Sequence, residues 1–121
     1  MFPASLLAKL FVKNTLKNTS NGFEFKMKNI IDSGTLIGLG PLVVDETTYP
    51  PAAMTIRVGD KELRGDAITR TAALPVRAYS EINIAIEGIP LEAGGHKITV
   101  LLYTREVGRL QFTVDEPLAT A

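Results

Sequence analysis

Cysteine and tryptophan are absent from the 121-residue sequence, and histidine occurs once. Without Cys there is no disulfide framework, no thiolate zinc site and no thiol nucleophile. A single His keeps a Ser-His-Asp arrangement arithmetically possible but rules out a multi-His metal site. Neither sign of charge is in excess, since 13 basic side chains balance 13 acidic ones. That balance removes the sequence-independent attraction that carries most nucleic-acid binding. Long hydrophobic runs are missing too, and nothing approaches the ~18 apolar residues of a membrane-spanning helix. What is there is ordinary: 45% hydrophobic and 21% charged residues, the balance of a folded chain. The length is that of one core, so residues 1–121 are read as a single domain.

The first eleven residues superficially resemble a secretory leader. No basic residue precedes the apolar stretch, Lys9 interrupts it and no small-x-small cleavage site follows, so the expected compartment is the cytoplasm. Pro3 followed by Leu6, Leu7 and Leu10 predicts a short helical turn that plugs one end of the core. Phe2 and Leu6 are its candidates for contact with a partner.

Beyond residue 10 the sequence alternates with period two, the signature of half-buried strands. Leu10–Leu16 and Phe23–Met27 alternate on either side of Asn18-Thr19-Ser20-Asn21-Gly22, which predicts an antiparallel hairpin. Met54, Ile56 and Val58 precede Gly59-Asp60 and a second extended run, as in a two-residue hairpin whose first turn residue is Gly. Ile82–Ile86, Ile98–Leu102 and Leu110–Val114 continue the alternation. The expected fold is all-β: one immunoglobulin-like antiparallel sandwich of seven to eight strands with a short N-terminal helical turn. Leu91 is expected to plug the sandwich end, with Gly94 and Gly95 supplying positive φ in the crossover that follows.

One segment breaks the rule. Gly34–Val44 is apolar on both parities, so it is either covered on both faces or lies against a partner. Thr35, Leu36, Ile37 and Leu39 are the interface candidates within it. Gly34, Gly38 and Gly40 do not make a phosphate loop, because no Gly-Lys-Ser/Thr and no receiving helix follow. Carboxylates fall mostly at turns and outward strand positions, where solvation explains them, and no calcium-loop spacing occurs. His96, at a turn-to-strand boundary, is the one nameable proton-transfer candidate, against a purely structural role in its loop. Lys13, Lys17, Lys26 and Lys28 mark a basic face on the first hairpin, but the stacking aromatics of a single-strand RNA binder are missing there.

Leu16-Lys17-Asn18 with Gly22-Phe23-Glu24-Phe25 resembles the S-L-x-N…G-F-x-F opening of the small β-subunits of bacterial C-glycoside deglycosidases. Leu42-Val43-Val44-Asp45 and Tyr49-Pro50-Pro51 are similar to that family's V-x-V-D-G turn and the proline after it. Leu91–His96 is similar to its L-x-P-G-x-H. Here Glu46 stands where the pattern has Gly, and Ala93 where it has Pro. The resemblance implies a small sandwich subunit bound to a larger barrel-type α-subunit in a hetero-oligomer. That subunit would carry a divalent metal and cleave the carbon–carbon bond of a 3-oxo-C-glycoside, leaving no cofactor in this chain. Small proteins of similar pattern also carry hydroxymethylglutaryl-CoA reductase names, an activity for which this chain is short and shows no dinucleotide loop. The other class of function in view is a stand-alone sandwich that binds carbohydrate or protein.

Overall fold

Alternating residues can bury one face of a strand only if a second apolar face meets it. The computed structural model, which describes residues 2–119, meets that demand with two antiparallel sheets around one core. A helical turn α1 (Ala4–Ala8) comes first. The first sheet holds β1 (Lys17–Thr19), β2 (Gly22–Lys28), β6 (Met54–Val58), β7 (Lys61–Arg64) and β9 (Glu81–Glu87), in the order β1-β2-β9-β6-β7. The second holds β3 (Gly34–Leu39), β4 (Leu42–Val44), β5 (Thr47–Tyr49), β8 (Leu74–Val76), β10 (Gly95–Thr104) and β11 (Gly108–Pro117). In it β10 is central: β11 pairs along one side, while β3 and β4 share the other.

The core is the sum of the inward parities. Phe23, Phe25 and Met27 of β2 meet Ile82, Ile84 and Ile86 of β9, and Ile98, Val100 and Leu102 of β10 face them from the other sheet. Gly22 is needed where it stands, since a Cβ there would run into the carbonyl of Ile86. Gly59 takes φ 58° in the two-residue turn joining Val58 to Lys61, as expected of that hairpin. The crossover expected at Leu91 carries the chain from β9 in one sheet to β10 in the other, with Leu91 half-buried on the core.

Several local expectations are corrected. Among the described residues there are eleven strands rather than seven or eight, because β1, β4, β5 and β8 have three residues each, too few to show alternation. Leu10–Leu16 is not a strand: Asn14 turns the backbone to φ 65°, and the stretch meets β2 through the single bridge Phe11↔Met27 and the Thr15 hydroxyl, which accepts the Lys26 N–H. Phe11 faces inward as well as Leu10, stacking on Phe25 with ring centroids 4.8 Å apart. The hairpin turn is Ser20-Asn21, with Asn18 and Thr19 already paired. Gly94 has the expected positive φ (115°), but Gly95 does not, since β10 begins there.

Candidate functional site

Polar groups in a sandwich concentrate where strands change sheets, because there the backbone leaves its ladder and needs other partners. At the end where β10 begins, Asn18 of β1 reaches the crossover. Its amide Nδ2 donates to the carbonyl of Leu91 and its Oδ1 accepts from the Leu91 N–H, both at 2.9 Å. Five residues further on, His96 is 8% exposed. Its Nδ1 lies 2.8 Å from Asp45 Oδ2 and its Nε2 2.7 Å from the Glu92 carbonyl. Asp45, at φ 56° in the β4–β5 turn, accepts the Lys97 N–H on its other oxygen. Both partners of the imidazole are acceptors, so the ring donates from both nitrogens and is held as the imidazolium. The Asp45 carboxylate accordingly raises the His96 pKa, and the hydrogen bond from His96 holds the Asp45 carboxyl below its usual range.

Residues far apart in sequence thus converge here. Asn18, Leu91, Glu92, His96 and Asp45 form a polar belt across one end of the sandwich, from the edge of the first sheet to the β4–β5 turn of the second. The side chains of Asn18, Asp45 and His96 in the belt are all spent on the fold. His96 keeps no free ring nitrogen with which to take a proton from a substrate. Two of the three glycines of the apolar segment are equally structural: Gly38 lies opposite Tyr103, and Gly40 donates to the Leu101 carbonyl at 2.9 Å. Among the described residues no group of three His, Cys, Asp or Glu side chains is placed to hold a metal ion.

The opposite end of β10 is different. There the sheets part into a cleft of about 440 Å³, floored by Leu10, Met27, Leu36, Val76, Ile82, Leu102 and Leu110. Asp32, Ser33, Thr35 and Glu106 stand at its rim. Glu106 accepts from the Thr35 N–H at 2.8 Å and from the Thr35 hydroxyl at 3.0 Å. The first of these bonds is the main reason its carboxyl is held below the usual range. Asn29 braces the rim, its Nδ2 2.7 Å from the Asp32 carbonyl and its Oδ1 accepting from the Ile31 N–H.

Of the residues expected at an interface, Phe2, Thr35 and Leu36 line this one cleft. Leu36 is a correction: at 5% exposure it belongs to the core and forms the floor. Leu6 is half-buried on α1, Leu39 packs half-buried on the core, and Ile37 lies elsewhere, in a hollow beside Tyr103. Glu106 and Asn29 were not legible as site residues. Glu106 sits in the β10–β11 turn and its partner Thr35 is on β3, and Asn29, just after β2, also reaches the Val76 carbonyl of β8 at 3.2 Å.

The hydroxymethylglutaryl-CoA reductase, N-terminal domain family model matches residues 6–119, almost the whole sandwich including the belt and the cleft. The chain belongs to that family. No curated protein matches it. Within the family match lie all of the belt, and Thr35, Leu36 and Glu106 of the cleft, whereas Phe2 precedes it. No helix among the described residues is long and apolar enough to cross a membrane.

Proposed function

We propose that this hydroxymethylglutaryl-CoA reductase N-terminal-domain sandwich is an accessory module that completes a larger enzyme rather than an enzyme in itself. One observation carries the reading: the only His, with its Asp45 partner, is fully engaged in holding a loop. The family description names an N-terminal domain rather than a whole reductase. The resemblance of the belt residues to the small β-subunits of C-glycoside deglycosidases supports a more specific version. In it the chain supports a metal-dependent, barrel-type α-subunit that cleaves 3-oxo-C-glycosides, and the metal and the catalytic residues belong to that partner. The cleft, with Phe2 and Thr35 at its mouth, is where a side chain of the partner would seat.

Co-expression with a xylose-isomerase-like barrel protein tests the proposal. The expected result is a co-eluting complex in which cleavage of a 3-oxo-C-glycoside requires both chains. Two separately eluting proteins, with the barrel fully active alone, would sink it. A second reading, a stand-alone binder, is favoured by the cleft alone, whose apolar floor and polar rim suit one sugar ring or one bulky side chain. Saturable binding of a glycan by the isolated chain, abolished by Val107→Asp at an exposed residue lining the cleft with the fold retained, would favour that second reading.

A further inference from the structure

The two outer sheet faces are composed differently. The first sheet carries charge on most of its strands, Glu24, Lys26 and Lys28 on β2, Glu81 and Glu87 at the ends of β9, and Arg57 paired with Glu62 across β6 and β7, around the neutral Thr55, Asn83 and Ala85. That is the face of a sheet that meets water. The second sheet is neutral across its middle, where Val43, Thr99, Leu101, Thr113 and Gln111 stand side by side on β4, β10 and β11. Leu101 packs its side chain over Gly40, where a Cβ would displace it.

Charge appears on this face only at its ends, and with opposite sign. At one end Arg109 and Arg70 flank a hollow with Ile37, Gly38 and the partly exposed Tyr103. At the other end stand Asp115 and the Asp45-Glu46 turn, with Lys97 opposite Asp115. Among the described residues, Arg70, Arg109, Lys97 and Asp115 take part in none of the ion pairs within the chain. The outward row of β11 therefore reads Arg109, Gln111, Thr113, Asp115: positive, neutral, neutral, negative.

Such a row is complementary to itself when reversed. We propose that this face is a self-association surface, on which a second copy of the chain packs sheet to sheet with its strands antiparallel. The two-fold axis crosses β11 at the level of Phe112. Arg109 then lies over Asp115 of the second copy and Asp115 over its Arg109, while Tyr103 lies over Lys97, a cation–π placement. Leu101 meets Thr99, and the threonine stripe lets the sheets approach to the ordinary ~10 Å of a sandwich. An isologous contact of this kind closes after two copies. β10 and β11 have ten residues each. A patch four strands wide and that long covers roughly 33 Å by 19 Å, on the order of 600 Å² per copy. That is somewhat less than the ~800 Å² per partner of a standard interface, so the dimer is expected to exchange with monomer at accessible concentrations. The contact uses a sheet face, and the cleft opens between the sheets, so both can be filled at once.

Sedimentation of the chain alone over a range of concentrations is the test. The expected result is a monomer–dimer equilibrium. Arg109→Glu and Asp115→Arg should each weaken it by about tenfold or more, since each substitution spoils two pairs. The double exchange, Arg109→Glu with Asp115→Arg, should restore it. Circular dichroism controls for the fold, and Thr113→Lys, in the middle of the face, should give the same loss without touching either end. A monomer at every concentration overturns the proposal, as does a dimer indifferent to the reversals or one that the double exchange fails to restore. Because no other protein is present, failure here is distinct from failure of the barrel-partner reading.

Discussion

His96 is a charged group used as mortar. Its imidazolium joins a carboxylate from the β4–β5 turn to a carbonyl of the crossover, and its contribution to stability must therefore depend on pH. The pKa is raised from its ordinary 6.5, so the His contribution is whole below that value and is lost as pH rises through the higher folded value. Asp45 is lowered from its ordinary 3.8, so its contribution is whole above that value and is lost as pH falls through the lower folded one. The pair is at full strength between about pH 4 and 6.5. Thermal unfolding of the wild type and His96→Gln should therefore differ more at about pH 5.5 than at about pH 9. An equal difference at both would show that the ring is not held as the imidazolium. The role of His96 as a loop residue was readable from its place before a strand. Its partner was not, because Asp45 is 51 residues away in sequence and only the pairing of β4 with β10 brings the two together.

At the scale of elements, the apolar segment Gly34–Val44 resolves into two strands. Gly40 is pressed against Leu101, and Pro41 lacks the N–H that a continuous strand would need. β3 and β4 then pair with different parts of β10. Its two parities have different fates: Leu36 is core, whereas Ile37 borders the outer hollow. Leu36→Asp should cost about 3–5 kcal/mol or unfold the chain, as burying an unpaired carboxylate in a vacated leucine site does. Ile37→Asp should leave the melting temperature nearly unchanged, and equal losses for the two would contradict this placement. The five longest alternating runs, in β2, β6, β9, β10 and β11, were legible because one side of each faces water and the other the core. Both-parity runs and three-residue strands were not, since period two needs several turns of the pattern to register. Phe11 was misread for a related reason: its alternation is accidental, and the helical turn ending at Phe11 sets its direction.

At the scale of the whole molecule, most of the fold depends on partners distant in sequence. Phe23 pairs with Ile86, Met54 pairs with the same residue from its other side, and β3 waits for β10. Loop closure must precede the reward from such contacts, so folding is expected on the slow scale of β-sandwiches, about milliseconds to seconds. Stopped-flow tyrosine fluorescence can follow it, since the chain has no Trp. A relaxation complete within about a hundred microseconds would be at odds with this topology. The same non-locality limited how far a site could be read from sequence. Phe2, Thr35 and Leu36 were singled out separately for being apolar or misplaced, and only the folded chain gathers them at one cleft, with Glu106 locking Thr35.

The stretch after the helical turn has a consequence of its own. β11 pairs with β10 on one side only, and beside its far half lie Ala8, Lys9, Phe11 and Lys13, with the Asn14 N–H bonded to Glu116. These residues act as a fender. Trimmed away, they would leave ten residues of strand with open backbone groups, a template onto which further chains could add without limit. Selection on the N-terminal residues would then act less on how well the sandwich folds than on keeping its copies from joining end over end.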